Sequence, residues 1–379
     1  MDNPPIEIKC SDDIIDISLS KVGNVAAVVI VDGSIELHQF DDKKDKLLKT
    51  LRVEKSVIRS AMFNPNATKL FCGCEDGFVF TMDLDGKVLW RCAKEKKHTA
   101  EVCRVFVVND SSCFSGDEEG GLKLWNPNPN HPTMANFTHH QDYISDFAYN
   151  KERNSVVVSS ADGSLSMICL KQRDLLYQTS TCMDELLSCC VIKNGTCVCA
   201  GTQEGNVNVY KWDEEDQLMD RITGHPESID GILKVDEDTI CTGSEDGILR
   251  IVQVMPNQFL GVAGMFEEFP VERMEWSFDR AFLAASSHDN VLRLFDMAIL
   301  NEDDDEDDKE GEDDKEKEKE KEKKEGVDSE EDSDEDSDED SDAKPSKKRG
   351  KRSKPTSAKN LKRRKVNKTS GNDGFFDDL

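Results

Sequence analysis

The chain contains no run of about 18 apolar residues, so an ordinary membrane-spanning helix is excluded. Its opening, MDNPPIEIKC, lacks the apolar segment of a secretory signal, and an intracellular, reducing setting without disulfides is expected. No Cys-x-x-Cys pair occurs among the 13 cysteines. Most of the thiols, including Cys72, Cys74, Cys197, Cys199 and Cys241, fall in strand-like runs, so they are expected to pack as small apolar groups and not to hold a metal. A Gly-rich phosphate loop, a Gly-x-Ser-x-Gly elbow and a His-Glu-x-x-His helix are also missing. No acid, base and nucleophile converge in the sequence, so an enzyme, a cofactor and a small-molecule substrate are not expected.

Apolar residues make up 36% of the 379, which is low for a chain folded throughout. The deficit is concentrated after Leu300, where long stretches have almost no Val, Ile, Leu or Phe. The chain therefore divides into a folded body, 1–300, a disordered acidic tract, 301–342, and a basic tail with an acidic terminus, 343–379. The last 79 residues hold 30 acidic and 20 basic side chains, so −19 of the overall −29 lies on the body. An acidic body repels phosphates, which argues against sequence-reading DNA binding by it.

What is present in the body is a repeat. Seven segments share one form: an apolar strand, a turn carrying Asp-Gly or a relative, and an alternating strand. The turns read VDGSIEL, EDGFVFT, EEGGLKL, ADGSLSM, QEGNVNV, EDGILRI and HDNVLRL. Their markers, Gly33, Gly77, Gly120, Gly163, Gly205, Gly247 and Asn290, are spaced by 44, 43, 43, 42, 42 and 43 residues. A tight hairpin needs positive φ, which Gly adopts without a Cβ clash and Asn tolerates best among the others. About 43 residues accommodate four short strands, one propeller blade. The fold expected is all-β, a seven-bladed β-propeller whose strands bury one face. Six blades have a candidate fourth strand: Lys46–Val53, Lys87–Ala93, Pro132–Phe137, Leu175–Ser180, Leu218–Thr223 and Phe259–Gly264. The seventh runs into the acidic tract, so the alternating segment Ile6–Cys10 is expected to supply its outer strand and close the ring.

At these residues the sequence resembles the WD-repeat family. FSGDEEGGLKLWN ends in Trp125-Asn126, LRLFD in Phe295-Asp296, and GHPESIDGIL carries a Gly-His element, Gly224-His225. In that family a His, a Ser or Thr, an Asp and a Trp are hydrogen-bonded within a blade. The resemblance gives these roles to His225, Thr242 and Asp246 in one blade, with Val252 at the Trp position. In another it gives them to His98, Ser115 and Trp125, with Glu119 at the Asp position. No blade is expected to have all four, so packing should hold the blades together. His139-His140 are expected in an exposed loop. Three segments, HHQDYISDFAYN, ESIDGILKVDEDTICTGSEDGILRIVQVMPNQFLGVAG and LAASSHDNVLRLFDMAIL, together with a charged tail ending in Phe375-Phe376-Asp377-Asp378-Leu379, resemble the WD-repeat-containing protein 55 family. That resemblance implies a nuclear, chiefly nucleolar scaffold of ribosome biogenesis, acting in ribosomal RNA production or processing beside pre-ribosomal proteins.

The tract 301–342 holds 27 acidic and 7 basic side chains and has no apolar face. It reads either as a solubilising spacer or as a polyanion for histones or other basic proteins. Ser329, Ser333 and Ser337 each have an acidic residue three positions on, a pattern resembling casein-kinase-2 sites. Residues 343–368 hold 13 basic residues and no acidic one. Two clusters, Lys347, Lys348, Arg349, Lys351 and Arg352, then Lys362, Arg363, Arg364 and Lys365, resemble a bipartite nuclear-import signal. The same segment suits non-specific RNA contact. In the body, Arg59, Arg104, Tyr143, Asp146, Asp230 and Arg273 stand beside strand starts and are candidate contact residues on a propeller face. A competing reading is a substrate receptor of a cullin-4 ubiquitin ligase. That role usually uses Trp-Asp-x-Arg, and Trp125-Asn126-Pro127-Asn128 lacks both the Asp and the Arg.

Overall fold

The computed structural model describes residues 4–41, 44–127, 134–212, 218–267 and 269–297. They form seven four-stranded antiparallel sheets, the blades of a β-propeller. The innermost strands, in chain order, are Ile14–Leu19, Ile58–Phe63, Val102–Asn109, Ile144–Asn150, Leu186–Ile192, Gly231–Lys234 and Arg273–Trp276. Each neighbours the next round the ring, and the seventh neighbours the first. The six sequence-assigned fourth strands are all present, with ends moved by up to two residues. Among the described residues the only helical segment is the single turn Lys94–Lys96.

The ring closes through its N-terminal segment. Ile6–Lys9 pairs antiparallel with Val291–Asp296, placing Ile6 opposite Leu294 and Ile8 opposite Leu292. Blade 7 is thus built from both ends of the body, and the apolar face of this strand enters the packing through Ile8, which is fully buried.

The core is a set of wedges, one between each pair of adjacent blades, and not a single central mass. Between blades 7 and 1 the wedge contains Ile8, Phe282 and Leu292 against Ile14, Leu19 and Val28. Between blades 3 and 4 it contains Phe114 and Leu122 against Ile144, Val156 and Val158. Every blade therefore has two apolar faces. This corrects the expectation of one buried face per strand: all of Ser155–Ser160 is buried, Val156 and Val158 on one side and Val157 on the other. Alternation is visible only farther out, where Leu122 and Leu124 are buried and Lys123 is partly exposed. The cysteines belong to this packing. All 13 are free thiols, and burial pushes those of Cys74 and Cys241 up to about 12, so these two act as small apolar groups.

The marker glycines carry two constraints. Gly77 and Gly120 have φ of +81° and +80°, the left-handed region. A Cβ on Gly77 would meet His98 O at 2.4 Å, and one on Gly120 would meet His140 O at 2.7 Å. The loop entering the next blade lies directly on each turn. Asn290 departs from the expected pattern: it is not among the residues of positive φ. Its carbonyl accepts Cys10 N–H at 2.8 Å, and its side-chain amide donates to Cys10 O at 3.3 Å. The turn is held by the closing segment instead of by left-handed geometry.

Candidate interaction site at the channel mouth

Five inner strands carry a register shift at the same place, between Ile14 and Asp16, Ile58 and Ser60, Val102 and Arg104, Ile144 and Asp146, and Leu186 and Ser188. A β-bulge re-aims one side chain out of the strand's alternation. The skipped residues, Ile15, Arg59, Cys103, Ser145 and Leu187, all turn toward a cavity of about 600 Å³ at one end of the central channel. Tyr143, Asp230, Glu272, Arg273 and His288 complete its rim.

The residue after each bulge locks neighbouring blades. Asp16 Oδ2 accepts Ser60 Oγ–H at 2.6 Å and Ala61 N–H at 3.2 Å. Ser60 Oγ in turn accepts Val105 N–H at 3.0 Å, Asp146 Oδ2 accepts Cys189 N–H at 3.2 Å, and Ser188 donates to Ile229 O at 2.9 Å. Arg104, from blade 3, reaches across the channel to Asp16 of blade 1 at 2.8 Å and Asp146 of blade 4 at 3.3 Å. Burial opposes its charge, but these two carboxylates more than offset that and hold the guanidinium's pKa above its ordinary value. Arg273 stands 3.8 Å from Asp16, and burial together with the nearby Arg104 lowers its pKa.

The structure brings the six residues singled out at strand starts to this one channel: Arg59 and Tyr143 at the mouth, Arg104 and Asp146 inside it, Asp230 and Arg273 at both levels. Sequence reasoning missed Asp16, whose position two residues into its inner strand repeats that of Asp146. Burial pushes the Cys103 thiol and the Tyr143 phenol up to about 12, so neither is an activated nucleophile at neutral pH. Burial raises the Asp230 carboxyl, against a hydrogen bond from Ser228 that lowers it.

Away from the channel, a second set of polar side chains ties blades 3 and 4 internally and, in part, blade 6. In blade 3, His98 Nδ1 is 2.6 Å from Asp117 Oδ2, His98 Nε2 is 2.6 Å from Ser115 Oγ, and Trp125 Nε1 donates to Ser115 Oγ at 2.7 Å. The blade has all four partners, which corrects the expectation that none does. The aspartate is Asp117, three residues before the marker glycine, while Glu119 is exposed and reaches only Thr99 at 3.4 Å. His140 is also corrected: it is buried, 3.1 Å from Asp162 Oδ2 and 2.8 Å from Ser166 Oγ. Burial alone would raise the Asp162 pKa, but hydrogen bonds with His140 and Ser164 hold it well below the carboxylate range. In blade 6 His225 Nε2 lies 2.8 Å from Thr242 Oγ1. Asp246 does not join them: it is turned to Arg250 at 2.6 and 3.0 Å, and His225 Nδ1 has no hydrogen-bond partner. Burial, with Arg250 nearby, lowers the His225 pKa to about 4. The phosphorylation candidates Ser329, Ser333 and Ser337 and the basic clusters within 347–365 lie outside the described residues.

Seven sheets with this internal bonding pattern define a WD-repeat β-propeller, a class whose members are typically non-catalytic scaffolds that present protein-binding surfaces. The WDR55 family model matches residues 5–300, and the chain belongs to that family. It is 34% identical over 292 residues to WD repeat-containing protein JIP5 of Cryptococcus neoformans var. neoformans serotype D (strain B-3501A), covering 73% of this chain and 77% of that one. It is 29% identical over 277 residues to WD repeat-containing protein 55 of Arabidopsis thaliana, covering 72% and 77%. Against WD repeat-containing protein 55 of Mus musculus it is 32% identical over 242 residues, covering 64% and 62%. Among the described residues no helix is long and apolar enough to cross a membrane.

Proposed function

We propose that the protein is a non-enzymatic scaffold of nucleolar ribosome biogenesis that holds pre-ribosomal proteins together while ribosomal RNA is made or processed. The observation that carries this reading is membership of the WDR55 family over residues 5–300, the whole extent of the ring. The channel mouth supplies the docking face. Arg59 and Arg273 stand there among Asp13, Asp230 and Glu272, and a mouth of mixed charge selects a partner by complementarity more than by apolar area. The acidic tract 301–342 is a spacer by composition, and the basic clusters of 343–368 direct nuclear import and add non-specific RNA contact.

Depletion of the protein, followed by measurement of precursor ribosomal RNAs, tests the role. Precursors should accumulate and return to normal with the wild-type chain; unchanged precursors sink the proposal. Rescue by Arg59→Glu should be weaker than by wild type, and full rescue would remove the mouth as the docking face. The tail is tested by exchanging Lys362, Arg363, Arg364 and Lys365 for Ala, which should leave a fluorescent fusion outside the nucleus.

A further inference from the structure

Blade 1 lacks the hydrogen-bonded set of blade 3, and the corresponding positions carry different chemistry. Cys10 stands four residues before its inner strand, as His98 and His140 do before theirs. The backbone marks the equivalence. Cys10 N–H donates to the marker carbonyl of the preceding blade, Asn290 O, at 2.8 Å, as His98 N–H donates to Gly77 O at 2.9 Å. His38 stands five residues beyond Gly33, the place Trp125 holds beyond Gly120. Glu36 stands on the same strand, two residues before His38.

The three side chains are exposed by only 7% (Cys10), 3% (Glu36) and 1% (His38). Cys10 Sγ is 4.0 Å from His38 Nε2, and His38 Nε2 is 3.1 Å from Glu36 Oε2. One donor atom from each lies within 4.8 Å of the other two. His38 Nδ1 is buried without a hydrogen-bond partner, with Asp45 Oδ2 at 3.9 Å. Among the described residues no lysine or arginine pairs with Glu36; its neighbour is His38. A carboxylate buried beside a thiol and an imidazole, with no lysine or arginine paired to it, carries a charge that a bound cation would neutralise. The contact between Cys10 and His38 is also long for a hydrogen bond, unlike the 2.6 Å contacts of His98 in blade 3.

We propose that Cys10, Glu36 and His38 bind a transition-metal dication of the zinc class. Tetrahedral zinc, with bonds of about 2.3 Å to sulfur and about 2.0 Å to nitrogen and oxygen, sets S–N and N–O separations of about 3.6 and about 3.3 Å. The observed 4.0 and 3.1 Å need only small side-chain shifts. Thiolate, imidazole and carboxylate together suit zinc better than magnesium or calcium, which favour oxygen alone. Cys10 lies on the link between the closing strand and blade 1, and Glu36 and His38 lie on the third strand of that blade. The ion clamps the point where the two ends of the ring meet. On binding, the Cys10 S–H bond breaks, its proton passes to solvent and the sulfur lone pair forms the bond to the metal.

The test is cobalt titration of the full-length protein after chelator dialysis, read by absorption. One equivalent should produce a near-ultraviolet thiolate-to-cobalt band with the intense visible bands of a four-coordinate site, and zinc should displace it. Cys10→Ala should lose the thiolate band, while Cys241→Ala should keep it. Glu36→Gln, close to isosteric, should weaken cobalt binding at least about tenfold, and it remains informative should Cys10→Ala fail to fold. A wild-type protein that develops no thiolate band, or a band unchanged in Cys10→Ala and Glu36→Gln, overturns the site.

Discussion

Replacing Asp117 by Ala removes the carboxylate that His98 Nδ1 faces at 2.6 Å and that accepts the backbone N–H of Gly121 at 2.6 Å and of Glu119 at 3.1 Å. Asp117 and His98 are both buried, so water cannot replace the lost partner. Each hydrogen bond to a charged group is worth about 1.5–3 kcal/mol, and burial lowers the His98 pKa, so the partner left behind is a neutral imidazole. Since the three bonds share one carboxylate, they do not add. The expected loss is about 3 kcal/mol for Asp117→Ala. Glu119→Ala, at an exposed side chain with one 3.4 Å contact, should stay within about 0.5 kcal/mol. Urea unfolding followed by tryptophan fluorescence measures both, because Trp125 sits in the same network. The midpoint should fall for Asp117→Ala at an unchanged slope and hold for Glu119→Ala. If the two variants lose equal stability, or if Glu119→Ala loses more, the assignment of the blade's aspartate is wrong.

Ile8→Ala, at a fully buried side chain of the closing strand, should cost about 2–5 kcal/mol in the same assay, and a loss under 1 would show that the strand closes the ring only weakly. Arg104→Ala leaves Asp16 and Asp146 without their shared partner and should cost about 3–5 kcal/mol, with Arg104→Lys recovering only part; a neutral result would mean the channel is hydrated enough to screen them. His225 has a folded pKa of about 4 against an ordinary 6.5, so it is neutral in both states above pH 6.5. As pH falls below that value the unfolded chain takes a proton the folded chain refuses, and stability drops by up to about 3 kcal/mol approaching pH 4. His225→Asn should therefore lose less stability than wild type between pH 7 and pH 5, and parallel losses would refute this.

The ring was legible in the sequence because its signal is local. A positive-φ turn favours glycine whatever surrounds it, so six nearly evenly spaced glycines, with Asn290 one period further on, report seven blades. Its closure was legible for a related reason, since the seventh repeat lacked a strand and Ile6–Cys10 had no other place. Polar networks were less so. Asp117 escaped because blade 3 takes its carboxylate from three residues before the glycine and blade 4 from one before; one offset cannot find both. His140 was taken for a loop residue because burial by the adjacent blade leaves no mark on neighbouring residue types. The Cys10, Glu36 and His38 group spans 28 residues and is brought together by strand pairing, beyond the reach of any test for closely spaced ligands. The bulges that aim Arg59 and Cys103 into the mouth exist only in the pairing register, and no residue pattern announces them.

The join between Ile6–Lys9 and Val291–Asp296 sets an order of events during synthesis. One partner leaves the ribosome roughly 285 residues ahead of the other, which at about 5–20 residues per second is a wait on the order of tens of seconds. Throughout that interval the early segment carries Ile6 and Ile8 with nowhere to bury them, and six finished blades form an arc whose last neighbour does not yet exist. The nascent arc is open to strand exchange with a second nascent chain, and the acidic body, by repelling its own copies, lowers the chance of that encounter.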